Sequence, residues 1–188
     1  MEARFEIKYE IFEDDVAEIE TIDVNTFDID FQEIYGIFTL VIDGQDLIPY
    51  PPLDVPLSAK RSFSELILTH FGLLIDVYHC LKSHDYAALK YIEDSSTWLE
   101  IKVEGEQYRL SELNYDLSPR GSFIHTNQEQ FKEAKKESII DVCISKYEFE
   151  NELKRKLKRF IRDIEKINMS LLESRCFSKV LKFYQDHN

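Results

Sequence analysis

Apolar and charged side chains alternate at the start of the chain. Phe5, Ile7, Tyr9 and Ile11 interleave with Arg4, Glu6, Lys8 and Glu10, the period of two expected of a half-buried strand. Residues 19–31 repeat the pattern more loosely, with Ile22, Val24, Phe27, Ile29 and Phe31 set among acids, and read as a further strand. Residues 34–42 are denser in β-branched and aromatic side chains, which suits a central strand covered on both faces. Asp43-Gly44 is a turn signal, so an antiparallel meander is expected up to residue 48. Pro49, Pro51, Pro52 and Pro56 follow. They cannot join a central sheet and predict a stiff crossover into a helix.

Ser62 and Glu65 are spaced as a capping box. Phe63, Leu66, Ile67, Phe71, Leu74, Ile75, Tyr78 and Leu81 then recur at helical spacing, predicting a core helix of about five turns. A second meander is expected over 88–93, 97–103 and 107–113, with a hairpin turn at Glu104-Gly105. A short strand near 122–125 follows Pro119-Arg120-Gly121, Thr126 and Glu129 are spaced to cap a short helix, and 138–144 reads as a buried strand. Two more boxes, Ser145 with Glu148 and Ser170 with Glu173, open two closing helices. Phe149, Leu153, Leu157, Phe160, Ile164 and Ile167 form the seam of the first. Leu172, Cys176, Phe177, Val180, Leu181 and Tyr184 form that of the second. The expected architecture is α+β: a mainly antiparallel sheet in two meanders, packed against a central helix and a C-terminal helical hairpin. One domain spans 1–188, with an acidic N-terminal sheet at 1–57 and the hairpin at 145–188.

The charge is unevenly distributed. The net value is −13. Residues 1–57 hold 15 acids against Arg4 and Lys8, and 58–188 hold 21 acids and 21 bases, so the whole excess lies in the first third. Such a face repels nucleic acid and acidic membranes and attracts basic proteins. No apolar run reaches the length of a membrane span, and the first residues lack the basic start and apolar run of a signal peptide. Cys80, Cys143 and Cys176 are odd in number and widely spaced, as in a reducing compartment. A cytoplasmic location is the expectation.

Chemistry-bearing patterns are sparse. His70, His79, His84, His125 and His187 make no metal-ligand spacing, and His70 falls on the apolar stripe of its helix. Asp28 and Asp30 resemble the paired carboxylates of Mg²⁺ sites, since i and i+2 share a strand face, yet such pairs arise readily in so acidic a region. There is no G-x-S-x-G and no glycine-rich phosphate loop. The expectation is no enzyme, no cofactor and no metal. The basic run Lys154-Arg155-Lys156, Lys158-Arg159 and Arg162 includes the opposite-charge i,i+4 pairs Glu150–Lys154, Glu152–Lys156 and Arg159–Asp163, and reads as a solvated helix face.

Residues 34–50 (Ile-Tyr-Gly-Ile-Phe-Thr-Leu-Val-Ile-Asp-Gly-Gln-Asp-Leu-Ile-Pro-Tyr), the sequel Phe63-Ser64-Glu65-Leu66-Ile67 through Phe71, and the strand and long helix over 138–167 resemble bacterial immunity-type proteins. Those neutralise polymorphic or contact-delivered toxins. The resemblance implies a cytosolic, non-catalytic domain that binds a basic partner, a cognate toxin. It carries over no functional residue. The acidic N-terminal sheet then supplies the contact residues: Glu18, Glu20, Asp23, Asp28, Asp30 and Glu33. Two alternatives stand beside this: a metal-dependent hydrolase or nuclease using Asp28 and Asp30, and an adaptor or homo-oligomeric structural protein.

Overall fold

A computed structural model describes residues 4–52, 54–94, 96–116 and 122–187. Pro119-Arg120-Gly121, which precede the strand expected near 122–125, lie outside the described residues. β1 (Phe5–Ile11) leads into a helical excursion of α1 (Glu13–Ile19), α2 (Val24–Thr26) and a π-helical turn (Phe27–Phe31). β2 (Tyr35–Ile42) and β3 (Gln45–Asp46) follow. α3 (Leu57–Lys60) and a 3-10 turn (Arg61–Phe63) precede β4 (Glu65–Leu66) and α4 (Ile67–Cys80). Next come β5 (Tyr86–Lys90), β6 (Thr97–Glu104) and β7 (Gln107–Asn114), then the short β8 (Ile124–His125) and β9 (Lys135–Lys136) around a 3-10 turn (Gln128–Phe131). β10 (Val142–Ser145), α5 (Lys146–Asn168), two 3-10 turns (Met169–Glu173 and Arg175–Phe177) and α6 (Ser178–Asp186) close the chain.

The strands form two antiparallel sheets, as an α+β reading requires. In the first, β2 pairs with β1 on one edge and with β3 and β4 on the other. In the second the order is β10-β7-β6-β5-β8, with β9 also on β7. Asp43 and Gly44 both adopt positive φ in the β2–β3 turn, the two-residue geometry that an Asp-Gly pair favours. Gly36 is required for a different reason: a Cβ there would sit 2.1 Å from the Glu10 carbonyl oxygen. α4 and α5 touch both sheets, and one apolar cluster joins all three layers. A smaller cluster around Trp98, Tyr86 and Phe131 covers the far face of the second sheet.

The second expected strand does not form. Residues 19–31 are helical for most of their length, and β1 pairs directly with β2 from Phe5↔Ile42 to Ile11↔Gly36. Two periods fit this segment: Phe27, Ile29 and Phe31 alternate, but Val24, Phe27 and Phe31 are also spaced three and four apart. The acids decide between them. Glu13, Asp14 and Asp15 occupy the first turn of α1, where carboxylates favour the helix dipole. Asp23 caps α2 by accepting from the Asn25 and Thr26 amides. The excursion is tied down from the C-terminal end. Asn168 Nδ2 donates to the carbonyls of Ile19 and Ile22, and Phe27 packs on Phe177, centroids 5.9 Å apart.

α4 starts later than its sequence suggests, and Ser62 and Glu65 do not cap it. Its N-terminus is capped instead by Glu33, far away in sequence. Glu33 Oε1 accepts from the Ile34 and Leu68 amides, and Oε2 from the Thr69 amide and hydroxyl. Ser145 does cap α5, accepting from the Glu148 amide at 3.0 Å. The Glu148 carboxylate reaches β1 rather than its own cap, accepting from the Arg4 and Phe5 amides. In the closing segment Asn168, not Ser170, supplies the cap, accepting from the Ser170 amide. Two 3-10 turns there shift the register, so Leu171 and Phe183 are buried while Leu172 and Tyr184 are only half-buried.

A polar pair sits in the core between α4 and β2. His70 Nε2 lies 2.8 Å from Glu65 Oε2, and its ring stacks on Phe38 at 4.6 Å. Burial, with Glu93 and Asp94 nearby, pushes the Glu65 carboxyl up to about 8. Burial pulls His70 down to about 4. Burial thus favours the uncharged form of both at neutral pH, joined by one hydrogen bond between Glu65 Oε2 and His70 Nε2.

Two outcomes follow from these buried carboxyls. Glu33→Ala leaves two amides at the start of α4 and the Ile34 amide before β2 without their acceptor, and chemical denaturation should show a loss of about 3 kcal/mol. Exposed Glu18→Ala should stay within about 0.5 kcal/mol. Native Glu65 holds its proton above the ordinary 4.5, so it lowers stability as pH rises from there to about 8. Native His70 holds its proton less tightly than the ordinary 6.5, so it raises stability with pH up to that value. The two offset below 6.5, and Glu65 acts alone between 6.5 and 8. The protein should weaken across that window by on the order of 1–2 kcal/mol, and Glu65→Gln should abolish this fall.

Candidate partner-binding surface

The six acids expected to meet a partner do not share one strand face. They divide into three groups along the helical excursion and its exit. Glu18, Glu20 and Asp30 are exposed and make no ion pair among the described residues. Asp23 is exposed, but the Thr26 hydroxyl and the Asn25 and Thr26 amides occupy its oxygens and hold its carboxyl below the usual range. Asp28 accepts from the Ser174 hydroxyl, which likewise lowers it. It also lies 3.5 Å from the Cys176 thiol and 4.0 Å from the Arg175 guanidinium. Glu33 is buried as the α4 cap, and what remains of its surface lies in the wall of a cavity rather than on the exterior. Burial pushes its carboxyl up against the pull of its four donors.

Much of the remaining acid excess is neutralised inside the fold. Lys156 of α5 reaches Glu6, and Lys60 reaches Glu10. Arg4 pairs with Asp43, Lys8 with Asp46, and Arg61 bridges Asp14 and Asp15. Among the described residues of the first third, the exposed acids without an ion pair or a capping role are Glu13, Glu18, Glu20 and Asp30 on the helical excursion, and Asp54 beyond β3. Glu13 was not anticipated, because the strand reading gave no reason to place it beside Glu18 and Glu20.

Glu18 also lines a cavity of about 350 Å³. Ile19, Phe31, Ile34 and Tyr35 contribute apolar surface, and Asp15, Glu18 and Arg61 contribute charge. Arg61 is held by its two carboxylates and rides over the Phe12 ring at 4.8 Å. One oxygen of Asp15, Oδ2, is buried without a hydrogen-bond partner among the described residues. Beside the cavity Ile29 is 68% exposed and Tyr35 40% exposed. Ile29 was expected to face a core. The π-helical turn instead points it outward between Asp28 and Asp30.

The geometric premise of a two-carboxylate metal site fails. Asp28 and Asp30 lie on a π-helical turn, not a strand, and Asp28 is engaged by the C-terminal segment. No group of three or more His, Cys, Asp or Glu side chains that could hold a metal ion occurs among the described residues. The basic run on α5 makes the expected pairs Lys154–Glu150, Lys156–Glu152 and Arg159–Asp163. Cys80, Cys143 and Cys176 are free and half-buried. No helix among the described residues is long and apolar enough to cross a membrane. Comparison with family models, with characterised proteins and with solved structures finds no match.

Proposed function

We propose that this protein is a non-catalytic binding domain that neutralises a basic protein partner, as immunity proteins do for delivered toxins. It would act in a reducing compartment such as the cytosol, which suits three unpaired cysteines. One observation carries the reading. After the fold has used most of its N-terminal acids, Glu13, Glu18, Glu20 and Asp30 remain exposed without an ion pair among the described residues, Glu18 in the wall of a partly apolar cavity and Asp30 next in sequence to the outward Ile29. Isolated surface carboxylates serve solubility. Carboxylates ringing exposed apolar anchors serve docking, the charge steering the encounter and the apolar groups holding the complex. The ridge is also pre-ordered by Asn168, Ser174 and Phe177, so little conformational freedom is lost on binding.

The test is co-expression with the product of the adjacent gene. Growth rescue from that product, with a complex that co-purifies, is the expected result. Within that complex, Glu18→Lys with Glu20→Lys and Asp30→Lys should slow association by about tenfold or more at low salt. Ile29→Ala should mainly speed dissociation. Absence of rescue together with absence of a complex would remove the proposal.

A further inference from the structure

The basic row of α5 and the strand beside it are not used by the acidic ridge. Among the described residues β1 is an edge strand: β2 lies on one side and no strand on the other. Antiparallel pairs alternate between hydrogen-bonded and open positions. The Asp43 amide donates to the Arg4 carbonyl and the Phe12 amide to the Tyr35 carbonyl, so the even positions of β1 face β2. Phe5, Ile7, Tyr9 and Ile11 therefore turn their backbone groups outward. α5 takes the first two of these amides. Glu148 accepts from Phe5, and Glu152 accepts from Ile7 at 2.9 Å. Beyond that point the helix no longer supplies a carboxylate to the strand. The amides of Tyr9 and Ile11 have no acceptor among the described residues.

A groove of about 280 Å³ opens there, lined by Tyr9, Ile11, Arg159, Asp163, Lys166 and Ile167. Along its rim Arg155, Arg159, Arg162 and Lys166 follow each other at spacings of four, three and four, one face of a helix. The side chains of Arg159 and Lys166 are 65% and 78% exposed. Asp163 also lines the groove, but it accepts from the Tyr9 hydroxyl at 2.8 Å and faces both cations. The groove thus offers two strand amides beside a row of cations.

We propose that this open end of β1 takes an extended acidic peptide as an added strand, its carboxylates meeting Arg159, Lys166 and their neighbours on α5. Unpaired edge amides supply the affinity of strand addition, and the cation row selects an acidic sequence. A nucleic acid would also find the cations, but it has no use for strand amides and is repelled by a chain of net charge −13. The inference does not rest on the proposed toxin-neutralising role, since it uses another element and the opposite charge.

The probe is a fluorescein-labelled peptide of alternating glutamate and valine, titrated into the full chain by anisotropy at low salt. Saturable binding is expected, with slowed amide hydrogen exchange at Tyr9 and Ile11. Methylating alternate backbone nitrogens on the pairing edge of the peptide keeps its charge and should weaken binding about tenfold. Arg159→Glu with Lys166→Glu should weaken it by a similar factor, about tenfold. The methylated peptide tests the wild-type chain, so a poorly folded variant leaves the proposal open to refutation. Absence of saturable binding overturns it. So does equal affinity for the methylated peptide, or an oligothymidylate that binds more tightly and leaves Tyr9 and Ile11 exchange unchanged.

Discussion

The Glu33 carboxylate holds the architecture at its most congested point. It ends the helical excursion, precedes β2 and caps α4, all through one buried side chain with four donors. A local cap would fix only the helix that follows it. This cap also fixes where the excursion must return to the sheet. That constraint sets α4 against β2, where Phe38 stacks on His70 and meets Phe71 edge-on. From there the aromatic contacts continue through Phe160 to Phe177 and Phe27. The acidic ridge is therefore mounted on the core rather than hung from it as a loop.

The acids of the first third do two kinds of work, and burial separates them. Glu33 serves as a cap. Glu6, Glu10, Asp14, Asp15, Asp28, Asp43 and Asp46 pair with cations drawn from the whole chain. Exposed pairs of this kind each contribute little to stability. Their collective effect is on the field: they offset most of the negative charge of the sheet and leave the unpaired acids mainly on residues 13–30, with Asp54 beyond β3. A net charge of −13 spread evenly would repel anions from every side. Concentrated on one ridge, it leaves the α5 face free to remain basic.

The sheets, the α4 and α5 seams and the Asp-Gly turn were legible because each rests on a local pattern. Alternation marked β1, and the 4-4-3-4-3 spacing from Phe149 to Ile167 marked α5. Glu104-Gly105 placed the second hairpin to within a residue. The failures share a physical cause: each depended on a partner distant in sequence. Val24, Phe27, Ile29 and Phe31 fit a strand and a helix equally well. The choice was made by Asn168 and Phe177, more than 130 residues later. The start of α4 was misplaced because its cap is Glu33 and not Ser62. Of the site residues, Glu18, Glu20 and Asp30 were legible as exposed acids. Asp28 and Glu33 were not distinguishable from them, since nothing local shows which carboxylate a remote Ser174 or helix terminus will claim.

The same interior bears on what kind of protein this is. Glu65 and His70 form the acid and base pair that a catalytic site would want, within hydrogen-bond distance and with strongly shifted protonation. Their burial changes the meaning of that shift. His70 is 3% exposed and stacked under Phe38, and the cavity beside α1 includes neither side chain. A perturbed group that no ligand can reach stabilises or destabilises a core; it does not turn over a substrate. The groups a ligand can reach are of a different sort: carboxylates around Ile29 on one face, and cations beside open strand amides on another. Charge steering and backbone pairing both act by contact alone. The Glu65–His70 pair is thus enclosed in the core, while the charged groups open to a ligand are carboxylates on one face and cations on another.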